Sequence, residues 1–189
     1  MATRRALITA VAMGAVARRA KADEGAAPDA AAAKMKRPMK GDKLVFVSGP
    51  SMGKPVRPED LTEGGPQVLA WAADPATGTV RNGSRLNQVL VIRLPADSLG
   101  EETRGRAVGG VVAYSSICTH AQCSVTEWRP ELKRLHCPCH NSEYDPQDDA
   151  KVVNGPAQRK LAALPLALSD GVLTVAEPFV GKVGAAPAA

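Results

Sequence analysis

All four cysteines and two of the three histidines of this 189-residue chain fall in two short stretches. The first is Cys118-Thr119-His120-Ala121-Gln122-Cys123; after thirteen intervening residues comes the second, Cys137-Pro138-Cys139-His140. Thiolates and imidazoles at such spacing suit several chemistries. Cys118 with His120 and Cys137 with His140 would serve a tetrahedral zinc, and four cysteines would serve a zinc ribbon. A catalytic thiol needs one cysteine and one histidine and would leave the other members idle. Two plain disulfides would consume the cysteines and leave the paired histidines unexplained. A chain of this length buries a core without a staple or a metal, so the concentration points to a function beyond bare stability.

The elements that must position these residues read as short strands. Apolar runs separated by turn signals extend from Leu44 onward: LVFVSG, QVLAWA, NQVLVIRL, GGVVAYSSI, SVTEW, LKRLHC, LPLAL and GVLTVA. With 17 glycines, 15 prolines and few aromatics, this predicts a mostly β, antiparallel domain. Asp170-Gly171 supplies a hairpin turn, and Asn82-Gly83 reads as a second turn. The stretch from Pro95 to Ala107 fits one short helix or a surface loop. Strands over Ser124 to Trp128 and Leu132 to His136, turning at Arg129-Pro130, would return the two cysteine-histidine motifs to one another's side. No internal repeat and no glycine-rich phosphate loop is found.

The net charge of +5 resides at one end. Residues 1–22 hold Arg4, Arg5, Arg18, Arg19 and Lys21 and no acid, so the remaining chain balances nineteen bases against nineteen acids. A nucleic-acid footprint is therefore not supported. The twin arginine, the weakly apolar run Ala6 to Ala17 and the small-x-small Ala20-Lys21-Ala22 predict an export signal of twin-arginine type over residues 1–22. As a helix that run would span about 18 Å at ~1.5 Å per residue, short of a ~30 Å hydrocarbon core. Residues 23–40 read as a flexible linker, residues 41–183 as the folded domain with its metal-binding part at about 114–157, and residues 184–189 as a disordered tail.

The pattern CTH-x-x-C followed by CPCH-x-S-x-Y-D resembles the Rieske [2Fe-2S] family, within it the high-potential subgroup with a disulfide between the two cluster loops. The resemblance covers about residues 108–176. It implies an antiparallel β-sandwich with a small cluster-binding subdomain and one [2Fe-2S] cluster per chain. Cys118 and Cys137 would hold one iron, His120 and His140 the other, and Cys123 with Cys139 would form the disulfide. Ser142 matches a serine that donates to a bridging sulfide, and Tyr144 a tyrosine directed at a ligand cysteine sulfur. Gly155-Pro156-Ala157 stands where the family has a third, proline-containing loop over the cluster.

Elementary charge counting agrees with a high potential. Two ferric ions and two sulfides sum to plus two, and two thiolates with two neutral histidines bring the site to zero, where four thiolates would leave a dianion. A neutral site accepts an electron far more readily, and donors at Ser142 and Tyr144 stabilise the added charge. A Cys123–Cys139 bridge would close a loop worth ~3 kcal/mol in the chain-entropy model.

Such a centre passes one electron and turns over no substrate alone. The expected role is an electron-transfer subunit of a periplasmic respiratory complex, exchanging electrons with a cytochrome c or a large catalytic subunit, as the Rieske subunit of arsenite oxidase does. The runner-up is the quinol-oxidising subunit of a cytochrome bc-type complex. There the family has a larger apolar residue followed by glycine, whereas this chain has Ala121 and Gln122; Gln122 lacks the backbone freedom of glycine, which predicts a differently shaped loop. An oxygenase ferredoxin and a zinc-stabilised interaction module stand behind these. His136 reads as a packed or surface histidine, Trp71 and Trp128 as packing residues, and Met35 and Met39 as linker residues.

Overall fold

The computed structural model describes residues 27–185. The expected export signal lies outside them. Ten strands follow in chain order: β1 (Lys43–Phe46), β2 (Val68–Ala73), β3 (Val89–Arg93), β4 (Val111–Ser115), β5 (Glu127–Arg129), β6 (Arg134–Cys137), β7 (Ser142–Asp145), β8 (Lys151–Asn154), β9 (Leu166–Ser169) and β10 (Val172–Val175). They form two antiparallel sheets, a larger one in the order β4-β3-β2-β1-β10-β9 and a smaller one in the order β5-β6-β7-β8. The mostly β reading therefore holds.

The run Val89-Leu90-Val91-Ile92 shows why the larger sheet is buried on both faces. Successive strand side chains point to opposite sides. Leu90 and Ile92 join one core, with Val112, Tyr114 and Leu135, while Val89 and Val91 join a second, with Leu44, Ala70 and Leu173. The first core continues into the smaller sheet and includes Cys118, Cys137 and Tyr144. The exposed rim of β4 is covered by the segment around Ala163, which bonds Ala113 and Ser115 through Leu164 and Ala162 and so leaves no bare edge there.

The Asp170-Gly171 hairpin forms as expected, with φ of 52° and 73°, both left-handed. Four other readings need correction. The hairpin between the motifs is shorter than expected: β5 and β6 pair Glu127 with His136 and Arg129 with Arg134, so the turn is Pro130–Lys133, with Lys133 at φ 52°. Asn82-Gly83 makes a bend instead of a hairpin turn. Gly83 donates to the Lys34 carbonyl, and a Cβ there would stand 2.9 Å from the Lys34 backbone, so its use is close approach.

Within the expected linker lies helix α1 (Ala27–Met35), whose alanines have the highest helix propensity. Its C-terminal end is tied down by Arg81, Gly83 and, through the Lys36 carbonyl, Asn87, partners that no local pattern announces. Of the expected disordered tail, Gly184 is instead held in place, buried with its carbonyl accepting a bond from Arg159, and residues 186–189 lie outside the described residues. Between Pro95 and Ala107 stand a 3₁₀ turn (Ala96–Ser98) and the one-turn helix α2 (Glu101–Arg104).

The N-terminal segment is fastened to the large sheet by one buried ion pair. Arg81 donates to both oxygens of Asp42 at 2.5 and 2.9 Å, with both side chains about 95 % buried or more. Removing Asp42 leaves the Arg81 charge buried with only Asp74 among the described residues, 3.7 Å away, to answer it. Asp42→Ala should destabilise the domain by ~3–5 kcal/mol, read as a lower urea midpoint at unchanged slope.

Candidate metal centre

The β5–β6 hairpin places the two motifs side by side, and Cys123 and Cys139 are joined in a disulfide, with Cα atoms 6.4 Å apart. Cys118 and Cys137 remain free and almost fully buried. The rings of His120 and His140 meet edge to face, with centroids 4.7 Å apart. His140 is exposed and His120 half-buried, while the Nδ1 of His120 is buried without a hydrogen-bond partner. A buried, unpartnered ring nitrogen beside two buried thiols is costly unless something binds there.

The local backbone explains the placement. Cys137 ends β6 and pairs with Ser142, the first residue of β7, so Cys137-Pro138-Cys139-His140-Asn141 is the connecting loop. Its turn closes through Asn141 N–H to the Cys137 carbonyl, with Asn141 left-handed at φ 59°. The first loop is built alike. Gln122 N–H donates to the Cys118 carbonyl, and Cys118 N–H donates to the Cys123 carbonyl.

Gln122 itself sits at φ 59°, the region where glycine is normally required. Gln122 takes up left-handed backbone at a cost of ~1 kcal/mol. Arg85 holds it there by donating to the Gln122 carbonyl at 2.7 Å.

Tyr144 Oη accepts the Thr119 N–H at 3.2 Å and lies 3.1 Å from Cys118 Sγ and 3.3 Å from Thr119 Oγ1, so the sulfur is the nearer of two acceptors for the phenol proton. Ser142, fully buried, accepts the Ala157 N–H at 3.2 Å, which leaves its hydroxyl proton free to donate. Burial pushes the Cys118 thiol up, but Tyr144, the His120 backbone and the Ser142 hydroxyl outweigh it and bring Cys118 below the usual thiol range. Burial pushes Cys137 upward, and the neighbouring Cys118 sulfur adds to this. Burial and the Cys118 sulfur also hold Tyr144 well above the ordinary phenol range.

Gly155 brings the third loop against the second. It has φ 84°, and a Cβ there would stand 2.5 Å from the Asn141 carbonyl oxygen and 2.6 Å from the Ser142 Cα. Pro156 lies beside His120, in a small cleft with Thr119, Gln158 and Arg159.

His136 is buried and braces the second loop. Its Nδ1 bonds Glu127 across the β5–β6 pair at 2.8 Å, and its Nε2 stands 2.9 Å from Arg129 and 3.1 Å from Asn141 Oδ1, which accounts for both ring nitrogens. Trp128 packs on the first core, and Gly65 lies against its indole ring. Residues that sequence reasoning passed over are Arg85, Thr119 and Arg159. Only Thr119 carries a local signal, its place between two motif residues.

The donor set fits a two-iron cluster. Among the described residues no group of three or more His, Cys, Asp or Glu side chains is arranged around one metal ion, as a structural zinc requires. A [2Fe-2S] cluster of mixed ligation asks for only two protein ligands at each iron. The family model of the Rieske [2Fe-2S] domain matches residues 70–165. The chain belongs to the Rieske [2Fe-2S] family. Its cofactor is accordingly a Rieske-type [2Fe-2S] cluster and its chemistry one-electron transfer.

This Rieske chain is 31% identical over 150 residues to the cytochrome bc1 complex Rieske iron-sulfur subunit of Streptomyces lividans, covering 78% of this chain and 86% of that protein. It is 34% identical over 149 residues to a putative respiratory nitrate reductase Rieske subunit of Haloferax mediterranei, covering 78% and 63%. Against the bc1 Rieske subunit of Mycobacterium tuberculosis (strain H37Rv), identity is 32% over 162 residues, covering 76% of this chain and 38% of that protein. The chain thus spans less than two thirds of the length of several of these relatives. A similar solved structure is the hyperthermophilic respiratory Complex III, at 23% identity, with 64% of this chain and 72% of that chain covered and a TM-score of 0.43.

Because a Cβ at residue 155 would meet backbone atoms that cannot move aside, Gly155→Ala should open the third loop. The expected cost is at least ~2 kcal/mol, measured by denaturant melts, with faster amide exchange at Ala157.

Proposed function

We propose that this chain is the one-electron transfer subunit of a periplasmic respiratory oxidoreductase complex, with Cys118 and Cys137 holding one iron of the cluster and His120 and His140 the other. One observation carries the ligand assignment. The chain separates its four cysteines into an outer disulfide pair and a buried free pair, and sets the two histidine rings together beside the free pair. The cluster would supply a reversible one-electron store with no open coordination position.

The protein's own residues do the remaining work. The disulfide clasps the two ligand loops, and Gly155, Pro156 and Ala157 cover them from the third side. Tyr144 and Ser142 direct hydroxyl protons into the site, where negative charge on sulfur grows as an electron arrives, so both raise the potential. The exposed His140 is the natural contact for a partner. The periplasmic part of the proposal rests on the signal-like residues 1–22. No helix among the described residues is long and apolar enough to cross a membrane.

A second reading, quinol oxidation within a bc-type complex, draws support from Gln122. Its left-handed φ gives the first loop the backbone turn that a glycine supplies. The bc1 Rieske relatives point the same way.

Paramagnetic resonance of the reduced full-length protein tests the assignment. His120→Ala and His140→Ala should each abolish the Rieske signal while the disulfide persists. A colourless, silent preparation containing zinc would overturn the reading. Tyr144→Phe should lower the midpoint potential with the spectrum retained, and an unchanged potential would remove the role given to the phenol.

A further inference from the structure

Four cations crowd one flank of the cluster end without a carboxylate to answer them. Arg85 donates to the Gln122 carbonyl, and Arg37 donates to the carbonyl of Leu86, the next residue. Arg159 donates to the carbonyls of Lys182 and Gly184, and a Cβ on Gly184 would stand 3.5 Å from both the Gln122 and Leu86 side chains. Arg37 and Lys182 in turn line one shallow groove floored by Phe179 and Val183. The four are therefore one continuous patch running from the first cluster loop to the C-terminal segment.

Backbone carbonyls satisfy a guanidinium's hydrogen bonds but leave its unit charge uncompensated. None of these four side chains is within salt-bridge distance of an acid among the described residues. The acid adjoining the groove in sequence, Glu177, is paired with Lys40. Towards the opposite end of the smaller sheet several cations do meet an acid: Arg134 with Asp145, Lys151 with Asp148, and Arg106 and Lys160 with Asp149. Residues 23–189 balance nineteen bases against nineteen acids, yet these four cations stand together beside the first ligand loop with no acid among the described residues within salt-bridge distance.

We infer that this flank is the docking surface for a redox partner protein presenting an acidic face, with Phe179 and Val183 as the apolar centre and Arg37, Arg85, Arg159 and Lys182 as the charged rim. The inference rests on the cluster assignment proposed above. Apolar centres with charged rims are the ordinary anatomy of such interfaces, and complementary rims act mainly on the rate of encounter. The distances also suit the task, since the patch begins at Gln122, inside the loop that carries Cys118 and His120.

Stopped-flow oxidation of the reduced full-length protein by two small c-type cytochromes, one acidic and one basic, tests this. With the acidic cytochrome the second-order rate should fall at least roughly tenfold from low to high ionic strength. With the basic one it should stay flat or rise. Arg37→Glu combined with Lys182→Glu touches no cluster loop and should abolish the preference while the paramagnetic signal is unchanged. Loss of that signal in the wild type would defeat the cluster assignment and not the patch. Identical salt dependence in wild type and double variant, with the signal present, would overturn the docking surface. So would a charge-dependent binding to phosphatidylglycerol vesicles without any effect on the rates, which would assign the patch to a lipid surface.

Discussion

Two cysteine sulfurs forced together inside an apolar core are the constraint around which this molecule is arranged. Cys118 and Cys137 belong to the same buried cluster as Leu90, Ile92, Tyr114 and Leu135, which joins the large sheet to the small one. Two thiolates there would repel each other and lack solvent, and their opposite shifts record this: one is drawn down by donors while the other is driven up. Positive charge between them resolves the conflict. A cluster that takes two thiolates and two neutral imidazoles supplies it and leaves the site neutral.

The surrounding fold makes that pair unavoidable. Register between β6 and β7 sets Cys137 opposite Ser142, and register between β6 and β5 sets His136 opposite Glu127, where its two ring nitrogens are taken up by Glu127, Arg129 and Asn141. The disulfide then fixes the two loops, and Gly155 permits a third to close on them. Donors come from residues that accept elsewhere: Tyr144 accepts from Thr119, and Ser142 accepts from Ala157, so each keeps its proton to donate. Thr119 is itself held by the Arg159 carbonyl, which links the first loop to the segment that carries the basic flank.

Much of the site was legible because its chemistry is local. Cysteine, histidine, serine and tyrosine at that spacing resemble one family, whose roles for them the resemblance implies, and alternating apolar residues name the strands. The illegible parts depend on residues far apart in the chain. The linker reading failed at α1 because Arg81 and Asn87, some fifty positions away, hold that segment. The left-handed bend at Gln122 was equally out of reach, because propensity disfavours left-handed glutamine, whereas a bond from Arg85 across 37 positions supports it.

By itself the sequence determined the ligand types, the mostly β class and the separation of the cysteines that the family resemblance implied, since each follows from residue chemistry or from patterns a few residues long. Tertiary structure alone decided how Gln122 bends, what holds helix α1 and which cations gather beside the first loop. Charge balance shows the difference most plainly. Composition reports a body of balanced charge, and only folding reveals which cations meet an acid and that Arg37, Arg85, Arg159 and Lys182 gather on one flank without one among the described residues, because pairing is a matter of distance in space and not along the chain.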